Sequence, residues 1–196
     1  MRTARILCLS VLVAACGPTL TPAATASPVD SPPSVASAPR IEQPPVSPPA
    51  PPGTNLPAFT CANASGGKTG VANAVTARVA EQIGYDRFVL QFDSPVPSYT
   101  VKRQPTPTFP SGASGQTVTL SGTSGVLVDV QTATGANTFT GSTDLSHGEY
   151  LVLKEARQTQ DFEGHLSWGL GLGKPACMRV FTLADPARLV VDFSTT

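Results

Sequence analysis

The sequence predicts an all-β fold: a β-sandwich of short, mostly antiparallel strands behind a disordered, proline-rich stalk. Three observations carry this expectation. Hydrophobic residues make up 40% of the 196 positions but aromatics only 6%, with 17 Gly and 20 Pro, a composition that favours short strands and turns over long helices. In YDRFVLQFD, Phe88, Leu90 and Phe92 fall on one side and Arg87 and Gln91 on the other, the period of a half-buried strand. SPVP, PSGASG, SGTSG, ATGAN, SHGE, GKP and ADPA then punctuate the apolar runs with turn-forming residues, at the spacing of a sandwich or barrel.

The elements follow in chain order. MRTARILCLSVLVAAC begins with Arg2 and Arg5 and continues as an apolar run from Ile6 to Ala15. That run is too short to span a bilayer and has the form of a secretory signal peptide, residues 1–15. Val13-Ala14-Ala15-Cys16 resembles the lipobox of bacterial lipoproteins, which implies that Cys16 takes a diacylglycerol on its sulfur and becomes the mature N-terminus. At about 0.8 kcal/mol per buried methylene, several acyl chains anchor a protein to a membrane without a transmembrane helix. Residues 16–58 follow as a linker. Thirteen of the twenty prolines lie between Gly17 and Ala58, so this stretch cannot build a core and reads as a disordered or polyproline spacer. Its reach is on the order of 100 Å at about 3 Å per residue. The protein is therefore expected outside the cytoplasm, lipid-anchored to a bacterial membrane, with its folded part held out toward the cell wall.

The folded domain is expected over residues 59–196. Besides YDRFVLQFD, strands are predicted over Val126 to Val130, Leu151 to Glu155, Met178 to Leu183 and Arg188 to Phe193, while ANASGGKTGVANAV admits one short helix. DFEGHLSWGLGLG, at first sight a site because it combines Glu, His, Trp and alternating Gly, obeys the strand period. Counting by two puts Phe162, Leu166, Trp168, Leu170 and Leu172 on one face and Glu163, His165, Ser167, Gly169 and Gly171 on the other. Trp168 is then a core anchor whose indole N–H needs a partner, and the glycine face is a shallow surface open to close approach. Arg87-Phe-Val-Leu and Arg188-Leu-Val-Val echo one another, either as symmetry mates or as two strands with the same polar lip.

Charge and chemistry exclude several classes of function. Lys and Arg number 13, as do Asp and Glu; without Arg2 and Arg5, eleven basic residues face thirteen acidic ones, so no basic stripe exists for nucleic acid. Of the four cysteines, Cys8 lies in the signal and Cys16 is assigned to lipid. Cys61 and Cys177 remain, and in an exported chain an even remainder of two predicts one disulfide. Neither a metal nor another cofactor is predicted, because no cluster of Cys or His has ligand spacing. His147 and His165 lie in separate segments without a His-Glu-x-x-His motif, no Gly-x-Ser-x-Gly elbow occurs, and Asp161 with Glu163 reads as solvent-facing. A non-catalytic role follows. A small hydrolase would need both histidines beside a carboxylate in one pocket.

YDRFVLQFDSPVPSYTV, DFEGHLSWGLGLG and the terminal MRVFTLADPARLVVDF together resemble the AMIN-like domain of exported bacterial lipoproteins, a relative of the AMIN domain, over about Val71 to Phe193. The most specific element is the end motif, Leu183, Asp185 and Pro186 leading into Arg188-Leu-Val-Val-Asp192; Tyr85-Asp86-Arg87 is next. The segment from Pro105 to Gly148 carries no likeness. Where the family pattern has a His shortly before Tyr-Asp-Arg, this chain has Glu81-Gln82-Ile83-Gly84, so no role for that His transfers. The AMIN domain is a symmetric β-sandwich, a non-catalytic part of N-acetylmuramoyl-L-alanine amidases and pilus secretins that binds peptidoglycan. The resemblance implies a partner of that kind here, peptidoglycan or another cell-wall polymer, the alternative being an envelope protein docked by an interaction module. Tyr85, Arg87, Tyr150, His165 and Arg188 are the candidate ligand-binding residues, since Arg pairs with carboxylates and aromatic rings stack. Arg87 and Arg188 have a competing structural assignment, a salt bridge to Asp86, Asp93 or Asp192.

Overall fold

The structure, a computed structural model, describes residues 55–112 and 115–196. The expected signal peptide at 1–15, the lipidation site Cys16 and nearly all of the expected linker at 16–58 lie outside these residues. The described chain forms thirteen strands: β1 (Ala64–Gly66), β2 (Ala72–Gln82), β3 (Tyr85–Phe92), β4 (Tyr99–Gln104), β5 (Thr108–Ser111), β6 (Gln116–Thr119) and β7 (Ser124–Gln131), then β8 (Ala133–Thr134), β9 (Asp144–Ser146), β10 (Leu153–Phe162), β11 (His165–Leu172), β12 (Met178–Leu183) and β13 (Arg188–Ser194). No helix occurs among the described residues; the segment that admitted one runs through β1 into β2.

Two sheets make the sandwich. One has six strands in the order β1-β4-β7-β11-β10-β9, the other five in the order β12-β13-β3-β2-β8, and β5 and β6 form a separate ribbon. Every pairing is antiparallel except β2 with β8. The predicted alternation is realised in β3, where Phe88, Leu90 and Phe92 are buried and Arg87, Val89 and Gln91 are partly exposed. Leu189, Val191 and Phe193 of β13 join them, and Val126, Val128 and Val130 of β7 with Leu166, Trp168, Leu170 and Leu172 of β11 line the opposite wall. Trp168 is fully buried, its ring centroid 5.5 Å from Phe88 and 5.8 Å from Phe139. Its indole Nε1 meets no hydrogen-bond acceptor among the described residues, contrary to the sequence expectation.

The stretch DFEGHLSWGLGLG is a hairpin rather than one strand. Glu163 and Gly164, at φ of 49° and 77°, form the two-residue turn between β10 and β11, the left-handed geometry that a tight hairpin needs. Phe162 therefore pairs with His165, on the opposite face from Leu166 and Trp168, and is 50% exposed. The glycine face is no open surface either. An ideal Cβ on Gly169 would lie 2.6 Å from Phe109 Cδ2, one on Gly125 would lie 2.6 Å from Phe109 Cζ, and one on Gly171 would lie 2.2 Å from the Ser121 carbonyl oxygen. The glycines seat the fully buried Phe109 of the β5 ribbon against the outer side of the six-stranded sheet.

The internal echo has a geometric counterpart. β3 and β13 are antiparallel neighbours, with Val89 opposite Val190, Arg87 opposite Asp192 and Gln91 opposite Arg188. The local two-fold through the Val89–Val190 pair superposes the two echoing segments. Cys61 and Cys177 form the expected disulfide, tying the chain before β1 to the start of β12, and Thr60 pairs through its backbone with Met178.

Candidate ligand-binding surface

Strand period puts Tyr85 and Arg87 on the outer face of the five-stranded sheet and Asp86 between them on the inner face. Arg87 donates from Nε and Nη2 to the two oxygens of Asp192, at 2.6 and 2.9 Å, and Arg179 on β12 donates from Nε to Oδ2 at 2.7 Å. Both guanidinium groups thus roof one carboxylate, which has no exposed surface. Two cations against one anion leave the cluster with an excess positive charge. The bond to Asp192 holds the Arg87 guanidinium above its ordinary pKa, outweighing the opposing effect of burial, so its charge is fixed at every physiological pH. Aromatic rings back the pair: Arg179 lies 4.5 Å from the Phe59 ring centroid and 4.6 Å from that of Tyr85, and Arg87 lies 5.1 Å from Tyr85 and 5.6 Å from Phe181. Phe59, Arg179, Tyr85, Arg87 and Phe181 form one alternating ladder, which stiffens the guanidinium groups through cation–π contact.

Among the competing ion pairs, Asp192 is the partner of Arg87. Asp93 is held instead by Asn73 and Ser94; the Asn73 backbone N–H, at 2.8 Å, does most to keep its carboxyl below the usual range. Asp86 is buried, and its Oδ2 accepts the backbone N–H groups of Val152 and Leu153 at 2.7 and 2.9 Å. It pins the loop before β10, a role the sequence did not suggest, where Asp86 stood only as a motif residue and a possible salt-bridge partner.

The five candidate residues do not converge. Tyr85 and Arg87 belong to the ladder. Arg188 shares their sheet face but lies at the other end of β13, where it donates to the carbonyls of Pro186 and Asp185 at 3.1 and 3.3 Å and steadies the cis-proline turn. Tyr150 sits in the loop after β9, stacked on His147 at 4.5 Å, and His147 Nδ1 is 2.8 Å from Glu149. His165 is exposed at the start of β11, in the other sheet. The backbone of His147 bonds to Lys154, at one end of β10, while His165 pairs with Phe162 at the other. Eight residues of strand separate them by about 26 Å, so the two histidines cannot share a catalytic centre. Asp161 and Glu163 are also apart in function, the first accepting from Thr134 and Gly135, the second forming the hairpin turn. Sequence reasoning overlooked Ser65 and Lys68, which have Ser-x-x-Lys spacing. The chain there is extended through β1, without the helical turn that would bring hydroxyl and amine together.

Arg179, Phe181 and Phe59 complete the surface and were not singled out from the sequence. Alternation in MRVFTL carried the signal for the first two, since it sets Arg179 and Phe181 on one face.

Fold and surface define a disulfide-closed β-sandwich module with a cationic, aromatic-backed patch on one sheet. The family model for the AMIN-like domain matches residues 72–195, nearly the span on which the sequence resemblance rested, and the chain belongs to this family. AMIN-like domains are generally non-catalytic targeting modules of exported envelope proteins, and the Cys61–Cys177 disulfide agrees with an extracytoplasmic setting. No curated protein matches the chain.

Proposed function

We propose that this chain is a lipid-anchored, non-catalytic protein of the cell envelope that binds peptidoglycan or another carboxylate-bearing wall polymer. In this reading Cys16 carries the lipid after removal of residues 1–15, residues 16–58 act as the spacer, and residues 59–196 bind. The observation that carries it is the Arg87–Asp192–Arg179 cluster: two guanidinium groups, ordered before any ligand arrives and bearing net positive charge, face outward from the sheet. Carboxylates of a wall polymer would pair with the guanidinium N–H groups that Asp192 leaves free. Phe59 touches Arg179, so the spacer would enter the domain beside the binding face.

Docking of an envelope protein is the second reading. Ile83 is fully exposed and Leu151 is 62% exposed, and both line one open hollow at the end of the sandwich.

Co-sedimentation of the full chain with isolated peptidoglycan sacculi, in mild detergent and beside an unrelated β-sandwich, tests the first reading. Saturable pelleting is expected, weakened about tenfold or more by Arg87→Ala or Arg179→Ala with the unfolding midpoint recorded in parallel. Pelleting no greater than the control refutes wall binding and turns the search to protein partners of the Ile83 and Leu151 surface.

A further inference from the structure

A second feature lies away from the ladder. Beside the disulfide, the end of the sandwich opens into a cleft of about 360 Å³. Arg103, Ser124, Val126, Leu172, Pro175 and Ala176 line it. Register fixes their orientation. Arg103 stands opposite Val126, Ser124 is two residues before Val126 and opposite Leu172, and Val126 and Leu172 are core residues, so all four face inward between the sheets. Gln104 also borders the cleft, with strand alternation setting it on the opposite face from Arg103, and two inward polar groups interrupt the apolar lining. Ser124 is only 6% exposed, and its hydroxyl has no hydrogen-bond partner among the described residues. Arg103 spends Nη1 on the carbonyl of Cys61 at 2.8 Å, and no carboxylate among the described residues meets its guanidinium.

We propose that this cleft binds the carboxylate end of a short peptide with small side chains. A guanidinium at the rim supplies the paired donors that a carboxylate takes. The Ser124 hydroxyl, deeper in, is an unsatisfied group that a terminal oxygen or the last peptide N–H would complete. The walls are small and aliphatic, suited to methyl-sized side chains, and the volume lies at the low end of small-ligand sites. A plain fatty acid would meet Arg103 through its carboxylate but brings no peptide N–H to the Ser124 hydroxyl, and its long chain does not match walls that suit methyl-sized groups. This site is distinct from the sheet-face ladder and does not depend on wall binding there.

The test is calorimetric titration of the full chain with N-acetyl-alanyl-alanine, in both enantiomeric forms, and with its C-terminal amide. At least one acid should bind saturably, with the amide weaker by about tenfold or more. Arg103→Gln should weaken the acid by a similar factor, and Ser124→Ala by a few-fold with unfolding midpoint unchanged or raised, because an orphan hydroxyl is removed. Arg78→Ala, an exposed guanidinium of the other sheet, should leave peptide binding unchanged. Absence of saturable heat, equal affinity for acid and amide, or a matching loss in Arg78→Ala would overturn the assignment. Should Arg103→Gln fail to fold, Ser124→Ala decides alone: undiminished affinity there would also overturn it.

Discussion

Replacing Gly169 by Ala should destabilise the protein only while Phe109 is present. Gly169 lies within β11 at an ordinary strand conformation, so on backbone grounds alone Ala would stabilise by about 0.4–1 kcal/mol. Packing opposes this. The new methyl would sit 2.6 Å from Phe109 Cδ2 and 2.9 Å from Cγ, where carbon atoms prefer about 3.5–4.0 Å. The ring is fully buried with its tip already seated over Gly125, so little free space remains for it to move into. Overpacking of this kind costs about 1–3 kcal/mol. Phe109→Ala removes a fully buried ring and should cost about 3–5 kcal/mol. In the double variant the methyl enters space the ring has vacated, so the summed single costs should exceed the double cost by about 1–3 kcal/mol. Urea unfolding of the four proteins with the disulfide intact measures the cycle, an unchanged slope confirming that the denatured state is comparable. Additivity within about 0.5 kcal/mol, or a neutral Gly169→Ala, would refute the view that the glycines exist to seat Phe109.

Two further outcomes follow from buried contacts. Asp86→Ala leaves the Val152 and Leu153 N–H groups buried without an acceptor, and should cost about 3 kcal/mol and expose those two amides to hydrogen exchange; unaltered protection there would refute the pinning role. Removing the disulfide by Cys61→Ser with Cys177→Ser frees a closure of 116 residues, worth up to about 4.8 kcal/mol in the loop-entropy relation, and the urea midpoint should fall accordingly; an unchanged midpoint would refute that contribution.

Period two made most of the sandwich legible. It located β3, β12 and β13 almost residue for residue: β3 alternates buried and half-exposed residues throughout, whereas β13, buried on both faces after Arg188, was legible as a short apolar run bounded by a turn. It failed where a segment distant in sequence covers the second face, or where chain direction reverses without a break in the pattern. Ser167, Gly169 and Gly171 read as an open face because nothing local announces that Phe109, some sixty residues earlier, will lie on them. The reversal at Glu163-Gly164 was hidden because an isolated Gly in a Gly-rich run carries little weight, and one missed turn moved Phe162 to the wrong face. The binding surface was half legible. Tyr85 and Arg87 stood out through their motif, whereas Phe59 and Arg179 reach them only because the disulfide and the β12–β13 pairing bring both ends of the domain to β3.

That convergence explains why the two most specific motifs of the family likeness lie so far apart in the chain. Tyr85-Asp86-Arg87 is not one signal but three placements: Tyr85 and Arg87 outward into the ladder, and Asp86 inward to hold the loop before β10. The end motif supplies Asp192, the carboxylate that Arg87 requires, from the neighbouring strand. Arg87 of the first motif completes the buried Asp192 of the second, and Asp86 is completed by the loop before β10, so a structural cause suffices for both. Wall binding therefore has to be read from the guanidinium groups that Asp192 does not saturate. Arg87→Ala leaves Asp192 one cation, Arg179, and Arg179→Ala leaves it Arg87 with both of its bonds; the second variant should keep more stability. If binding follows loss of charge, the two variants should bind equally poorly; if it follows loss of fold, Arg87→Ala should be the worse. The difference between them separates a ligand contact from a structural bridge.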